Sequence, residues 1–376
     1  MIWLMRTFYF NFFLSVGAFQ FVNLFYVNFG LNSGQIGLLF AIGPFVLMFA
    51  QPLWGLITDF LGSPKLTLII MTIGATITAL FFPLATGFTH LLLLNIGYFF
   101  FQSAIPPIAD VTVISLLDDT DDYGKIRLWG SLGYAVSVLV IGRLLDLFGL
   151  TTLFFLHSAF LLVAFLLVLK IPIKANSKKR FKAVEAVGLF KNRTFIALLL
   201  FSFFLQLTVH ANNSFYAIYL QNLGSTVTIV GIALLIKSIL EIPFFAMSKK
   251  LMDKYSYPVL LSLVAVMYAI RWLFLGFSNE ISVLVGSQIL LSLSFSIQYF
   301  VAVAYVNAIT PPNYRATGQT IYWAVTLGLS GVVGNLLAGW LLNYVTISSM
   351  YKIAMVVALL AVPLIWLKPF IEESIG

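Results

Sequence analysis

The feature that most constrains this chain is a recurring apolar run about twenty residues long. Twelve such runs lie at roughly 5–29, 33–57, 66–86, 89–117, 125–146, 150–170, 194–220, 226–247, 258–277, 280–308, 315–343 and 347–367. About 20 apolar residues is the length at which an α-helix crosses the hydrocarbon core of a bilayer. The runs lack the two-residue alternation of a membrane β-strand. The expected fold class is therefore all-α integral membrane, with twelve transmembrane helices. Charge supports this, because only 9% of the residues are charged against about 25% in a soluble domain. The absence of cysteine excludes disulfides, thiolate chemistry and cysteine metal sites. His90, His157 and His210 are too far apart for metal-ligand spacing. The opening MIWLMRTFYFNFF has no small-residue cleavage site and reads as a first helix, not a removed signal.

The net charge of +8 is placed, not spread. Lys170, Lys174, Lys178, Lys179, Arg180, Lys182, Lys191 and Arg193 crowd residues 170–193 against the single acid Glu185. Lys65, the Lys249/Lys250/Lys254 group and Arg315 fall in loops on the same side of the twelve-span count, while the opposite loops are almost uncharged. The positive-inside rule then puts both termini and the central loop in the cytoplasm of a multi-pass protein of the cell membrane. The basic cluster reads as a topology signal, with no nucleic-acid partner.

That polar stretch divides the chain into 1–170, a linker at 171–193, and 194–376, with six spans on each side. Weak self-similarity relates the two parts: Gly37 and Gly231, and Asp59 and Asp253, stand 194 residues apart, while GRLLD at 142–146 and GWLLN at 339–343 stand 197 apart. Two six-helix pseudo-repeats, with a solute site between them near the midplane, describe a transporter of the rocking type.

Charged side chains at membrane depth cost about 2.5–3.5 kcal/mol on insertion scales, so they face the protein interior and mark function. Asp110 and Arg127 lie nine residues before and eight after residue 119 in the DDTDD turn. Antiparallel packing of spans four and five brings them to one depth, where they can pair. Around Arg127, LWGSLGYAVS is rich in small residues that let a ligand or a helix come close. Farther along, Lys237 and Glu241 share one helical face, and Glu241 and Arg271 each lie 15 residues from position 256. Gln206, His210 and Asn213 form one stripe on span seven; Gln288, Ser292, Ser296 and Tyr299 form another on span ten.

Several of these stretches resemble a known family. QPLWGLITDFLGSPK, residues 51–65, resembles the loop between helices two and three of the major facilitator superfamily, with Gly55 for close helix contact, Asp59 for a helix end or cation, and Gly62 for the turn. The resemblance implies a gating and structural role for these three. IPPIAD followed by YGKIRLWGSLGY resembles the oligosaccharide:proton symporter (lactose permease) branch. It implies that Asp110 and Arg127 bind solute and Tyr134 stacks on it; the sugar-specific members carry tryptophan at the last position. AIRWLF around Arg271 is similar to the helix-nine arginine region of the same branch. VHANNSFYAIYLQNLG and PPNYRATGQTIYW look closer to the phenylpropionate permease branch. The helix-ten histidine and glutamate of lactose permease have no counterpart in LLSLSFSIQYFVAVAYVNA.

Together these readings predict a secondary active transporter, moving a sugar, nucleoside or aromatic carboxylate with protons by alternating access. The solute-binding residues are expected to be Asp110, Arg127, Tyr134, Gln206, His210, Asn213, Lys237, Arg271 and Tyr299. Glu241, with Asp110 and His210, is expected to handle the proton: burial favours the protonated form of a carboxylate, and an approaching cation favours the ionised one. No cofactor is expected beyond the proton gradient, no metal, and a monomer in the bilayer. The alternative is a proton-driven drug or metabolite exporter of the same fold. Against it, GSLGYAVSVLVIGRLL lacks the proline of the Gly-Pro motif usual in helix five of exporters. No nucleophile–base or metal constellation suggests an enzyme.

Overall fold

The computed structural model describes residues 2–114, 121–171 and 192–366. Among those residues there is no strand, and twelve helices are long and apolar enough to cross a membrane. They are α1 (Ile2–Asn28), α2 (Ser33–Leu61), α3 (Pro64–Leu84), α4 (Phe88–Ile114), α5 (Tyr123–Phe148), α6 (Thr152–Lys170), α7 (Arg193–Asn222), α8 (Val227–Phe244), α9 (Tyr257–Phe277), α10 (Ile281–Ile309), α11 (Thr317–Leu341) and α12 (Ile347–Ile365). Each apolar run of the sequence overlaps one helix. The basic linker from Lys174 to Lys191, and Asp118 and Asp119 of the α4–α5 turn, lie outside the described residues.

Local sequence sets the helix ends. Asn32 and Gln35 form a capping box at the start of α2: the Asn32 side chain accepts from the Gln35 amide at 2.9 Å, and the Gln35 side chain accepts from the Asn32 amide at 3.1 Å. Gly62 closes that helix in the left-handed region, at φ 59°, as the turn reading required. Ser63 then caps α3, with Pro64 at its first position. Lys65 donates through Nζ to the carbonyls of Leu169 (2.7 Å) and Ile171 (3.0 Å), placing a cation on the C-terminus of α6.

The described helices group into two compact units. One holds the described part of Met1–Arg180 together with Ala217–Ser238; the other holds that of Phe181–Tyr216 and Ile239–Gly376. In the first, α1 packs on α5 and α6, α3 on α4 and α6, and α2 on α4. The α1–α5 contact is the tightest kind a membrane interior offers, because small residues let the backbones meet. A Cβ on Gly133 would stand 2.2 Å from the Phe10 carbonyl oxygen, and one on Gly17 2.6 Å from Ser137 Cβ. Ser137 Oγ donates to the Leu14 carbonyl at 2.6 Å across the same seam. The small residues around Arg127 are thus occupied by helix α1, one of the two possibilities the sequence left open.

The α8 end of the first unit is held by a carboxylate from α5. Asp146 accepts from the amides of Val227 (2.9 Å) and Thr228 (2.8 Å) and from the Thr228 hydroxyl, so it caps a helix it does not belong to. Replacing Asp146 with alanine is expected to cost about 1 kcal/mol. That would appear as a melting temperature a few degrees lower in detergent, with Asp146→Asn losing less; equal melting of the alanine variant would show that water supplies the cap. In the second unit α9 packs against α12 and α10. Apolar side chains left exposed, such as Phe49, Leu56, Phe155 and Leu360, suit acyl chains in place of water.

Candidate functional site

In the first unit the site begins with a broken helix. Pro106 and Pro107 have no amide hydrogen, so the carbonyls of Gln102 and Ser103 lose their helical donors. The helix stops at Gln102 and resumes at Ile105. Two side chains of α2 mend the gap: Gln51 Nε2 donates to the Ser103 carbonyl at 2.9 Å, and Trp54 Nε1 to that of Phe100 at 2.7 Å. An interrupted helix whose exposed backbone is satisfied by neighbours is how membrane proteins build solute sites.

Asp110 follows this break by little more than a turn. Its Oδ1 accepts from the hydroxyl of Tyr9, a residue 1% exposed on α1. Tyr123 hydrogen-bonds both Asp110 and Arg127, accepting from the guanidinium and donating to the carboxylate. The Arg127 guanidinium lies over the Phe13 ring at 4.3 Å and over Tyr9 at 5.7 Å. Gly130 makes room for it, since a Cβ there would stand 2.8 Å from Arg127 Nη1. Tyr123 thus bridges the two charges, and Tyr9 joins them, bonding the carboxylate through its hydroxyl and meeting the guanidinium with its ring. Helix α1 supplies Tyr9 and Phe13 to the α4–α5 hairpin. Tyr134, half-buried, lies about two turns beyond Arg127 on α5.

The second unit holds two polar networks. In one, Gln206 Nε2 (3.1 Å) and the Tyr268 hydroxyl (3.3 Å) both donate to Gln298 Oε1, and Tyr322 bonds Ser202 and Gln298. Glu241 is half-buried, with its carbonyl accepting from Ser296 Oγ at 3.3 Å. Tyr268 neighbours both Glu241 and Arg271. In the other, Arg271 is 0% exposed. It donates from Nη1 to Asn212 Oδ1 at 2.9 Å and from Nη2 to Gln288 Oε1 at 3.4 Å. Trp272 and Tyr216 lie against its faces at 4.8 and 5.3 Å. His210 Nε2 donates to the Thr326 carbonyl at 3.1 Å, within a π-helical segment at Ala324–Leu329. Such bulges recur at functional positions.

A sequence model of the MFS_1 like family matches residues 2–353. The chain belongs to the MFS_1 like family. It is 29% identical to the maltose permease of Geobacillus stearothermophilus over 348 residues, covering 92% of this chain and 88% of that protein. It is 28% identical to the probable 3-phenylpropionic acid transporter of Escherichia coli (strain K12) over 374 residues, covering 97% of each. The fold is that of the nucleoside transporter NupG, with a TM-score of 0.87 at 18% identity and 97% of both chains covered. The chain is accordingly a multi-pass membrane transporter of the major facilitator type, and its family is one of transporters, not enzymes.

Against this family frame, the stripes drawn from helical spacing are partly redrawn. On α7, Gln206 and His210 are engaged in the unit, but Asn213 is exposed. Its neighbour Asn212, 2% exposed, meets Arg271, on a second stripe with Thr208 and Tyr216. On α10, Gln288, Ser292 and Ser296 are buried while Tyr299 is 42% exposed and stacks on Trp323 at 5.1 Å. Lys237 is half-buried on α8. The close contact expected at Gly55 is not made, because a Cβ there would meet nothing within 4 Å. Asp59 is exposed beside it. No group of three metal-ligating side chains occurs among the described residues.

Tyr9, Phe13 and Tyr123 were missed by sequence reasoning. The first two sit in FYFNFF, where every position is aromatic or amide and no face stands out; Tyr123 adjoins the acidic turn. The available signal was the spacing of Tyr9 and Phe13, one helical turn apart on a helix whose neighbour carries an arginine.

Proposed function

We propose that this transporter moves a small polar solute (a sugar, a nucleoside or an aromatic carboxylate) together with protons, by alternating access across the cell membrane, with both termini cytoplasmic. The observation that carries the reading is the Asp110–Tyr123–Arg127 relay with Tyr9 and Phe13: an acid and a guanidinium at membrane depth, bridged by phenols. A purely structural ion pair is readily replaced by apolar packing. Phenols in the gap can yield their hydrogen bonds to solute hydroxyls or a carboxylate, and the ring faces can stack on it. Tyr134 is the further stacking group. Gln206, His210, Asn213, Lys237, Arg271 and Tyr299 complete the solute-binding set; Gly55, Asp59 and Gly62 serve gating and structure. The relatives support the three solute classes, being named for a sugar, an aromatic acid and nucleosides.

Glu241, aided by Asp110 and His210, is the proton site, and the proton gradient supplies the energy without a cofactor. The transporter acts as a monomer. Glu241→Gln is expected to keep exchange of solute down its own gradient and to lose solute-driven proton entry, with a flat pH profile of uptake. An unaltered pH profile would remove Glu241 from the coupling step.

The deciding experiment is proton flux into liposomes holding the purified protein, challenged in turn with sugars, nucleosides and aromatic acids. Proton entry driven by one class alone identifies both symport and substrate. Dye efflux under an imposed proton gradient, with no response to any solute, would replace this reading with export.

A further inference from the structure

Arginine carries five N–H donors and cannot shed its charge in a protein. Arg271, with no exposed surface, reaches two amide oxygens, one of them at a long 3.4 Å, and its Nε is buried with no partner. No carboxylate ion-pairs with it among the described residues. Burying a cation without a counter-charge is expensive, and neutral amides and ring faces offset only part of the loss. The architecture does not demand it. The Tyr351 hydroxyl also donates to Asn212 Oδ1, at 3.2 Å; in the first unit the residues offset from Arg271, Tyr351 and Asn212 by 195, 194 and 197 positions are Thr76, His157 and Ser15. There His157 Nδ1 bonds the Ser15 carbonyl at 2.8 Å, and Thr76 is satisfied by its own helix through Thr72 at 2.7 Å. Thr76 stands at that offset where the second unit has a guanidinium, and the atom left there without a partner is His157 Nε2.

A second feature lies beside it. Helix α10 is interrupted at Ser287, and a new helix of 22 residues starts at Gln288, the residue that accepts from Arg271. The interruption leaves the Leu284 carbonyl to the hydroxyls of Ser287, at 2.7 Å, and Tyr216, at 3.1 Å. A helix N-terminus and a guanidinium with spare donors at one place both favour negative charge.

We propose that Arg271 is a binding site for a monovalent anion, filled either by the carboxylate of a transported solute or by a small free anion. The first source rests on the transport reading above; the second does not. The anion takes the spare Arg271 donors, with Asn212 and Gln288 holding the fork in plane and Trp272 and Tyr216 covering its faces. Trp272, stacked on the guanidinium and bonded through Nε1 to Thr208 Oγ1 at 3.1 Å, is a built-in reporter.

The test uses the full-length protein in detergent, with sulfate as the only other anion, titrated with formate, chloride and benzoate. Tryptophan fluorescence and melting temperature are both read. The wild type is expected to give a saturable fluorescence change and a melting temperature raised by several degrees. Arg271→Gln should respond to none of the three, and Arg271→Lys at least tenfold more weakly, since an ammonium lacks the planar fork. If the glutamine variant does not fold, the lysine comparison and the loss of signal in Trp272→Phe carry the result. Absence of a saturable response in the wild type, or an equal response in Arg271→Gln, overturns the proposal. Benzoate acting alone assigns the site to a solute carboxylate; formate and chloride acting too assign it to a free anion. Transport is scored separately in liposomes. Uptake of a neutral solute without anion binding sinks this inference alone, and anion binding without any uptake sinks the transport reading alone.

Discussion

Arg127→Ala is expected to reduce solute uptake about 100-fold while leaving the melting temperature in detergent within a few degrees of wild type. The guanidinium gives the site a charge-assisted donor, and such hydrogen bonds contribute about 1.5–3 kcal/mol, or roughly ten- to 150-fold in affinity. It also fixes Tyr123, which in turn addresses Asp110, so the loss falls on two further groups. Arg127→Lys should not restore uptake, because the fork that reaches Tyr123 while lying on Phe13 at 4.3 Å has no equivalent in an ammonium. Asp110→Asn should fall into the same range, and Tyr9→Phe, which removes one donor to the carboxylate, to roughly tenfold. The measurement is the KM and maximal rate of uptake in liposomes. Uptake within threefold of wild type in Arg127→Ala would reduce the whole cluster to packing and overturn its assignment.

Gly133→Val is expected to be the most damaging single change to the fold of the first unit. The added Cβ would meet the Phe10 carbonyl oxygen at 2.2 Å, its carbon at 3.0 Å and Cα at 3.1 Å. All three atoms are backbone, so no side chain can swing aside and α1 must move off α5. Overpacking costs about 1–3 kcal/mol when side chains can adjust, so a backbone clash of this kind is placed at about 3 kcal/mol or above. Moving α1 also separates Ser137 from the Leu14 carbonyl and Tyr9 from Asp110. The control is Gly55→Ala, whose Cβ meets nothing within 4 Å inside a helix; it should melt slightly above wild type, by the roughly 0.5–1 kcal/mol that separates glycine from alanine in a helix. Thermal unfolding in detergent distinguishes the two. A Gly133→Val protein that melts with the wild type would mean that the α1–α5 seam is looser than the packing indicates.

The twelve helices were legible in the sequence because a bilayer leaves a chain little choice: a run of apolar residues long enough to cross must satisfy its own backbone. Gly62 was legible as a turn because a residue without a Cβ enters the left-handed region freely. Asp110, Arg127, Glu241 and Arg271 stood out because a charge at membrane depth is costly enough to need a cause.

Side-chain partners were another matter. Depth counting placed Asp110 level with Arg127, but it has no account of α1, which comes from a hundred residues earlier and supplies Tyr9 and Phe13. Helical spacing put Asn213 on the polar stripe of α7. The turn that meets Arg271 is carried by Asn212, about 100° away around the helix, and which face α7 offers to α9 and α12 depends on packing alone. Gly55, read as a contact glycine from its motif, faces open space, whereas Gly133 and Gly17 lie where backbones touch. By itself, then, the sequence determined what must lie in the membrane and which charges need an explanation, since both follow from local transfer energies. Tertiary structure decided which groups those charges meet, because that depends on how helices far apart in the chain are rotated against one another.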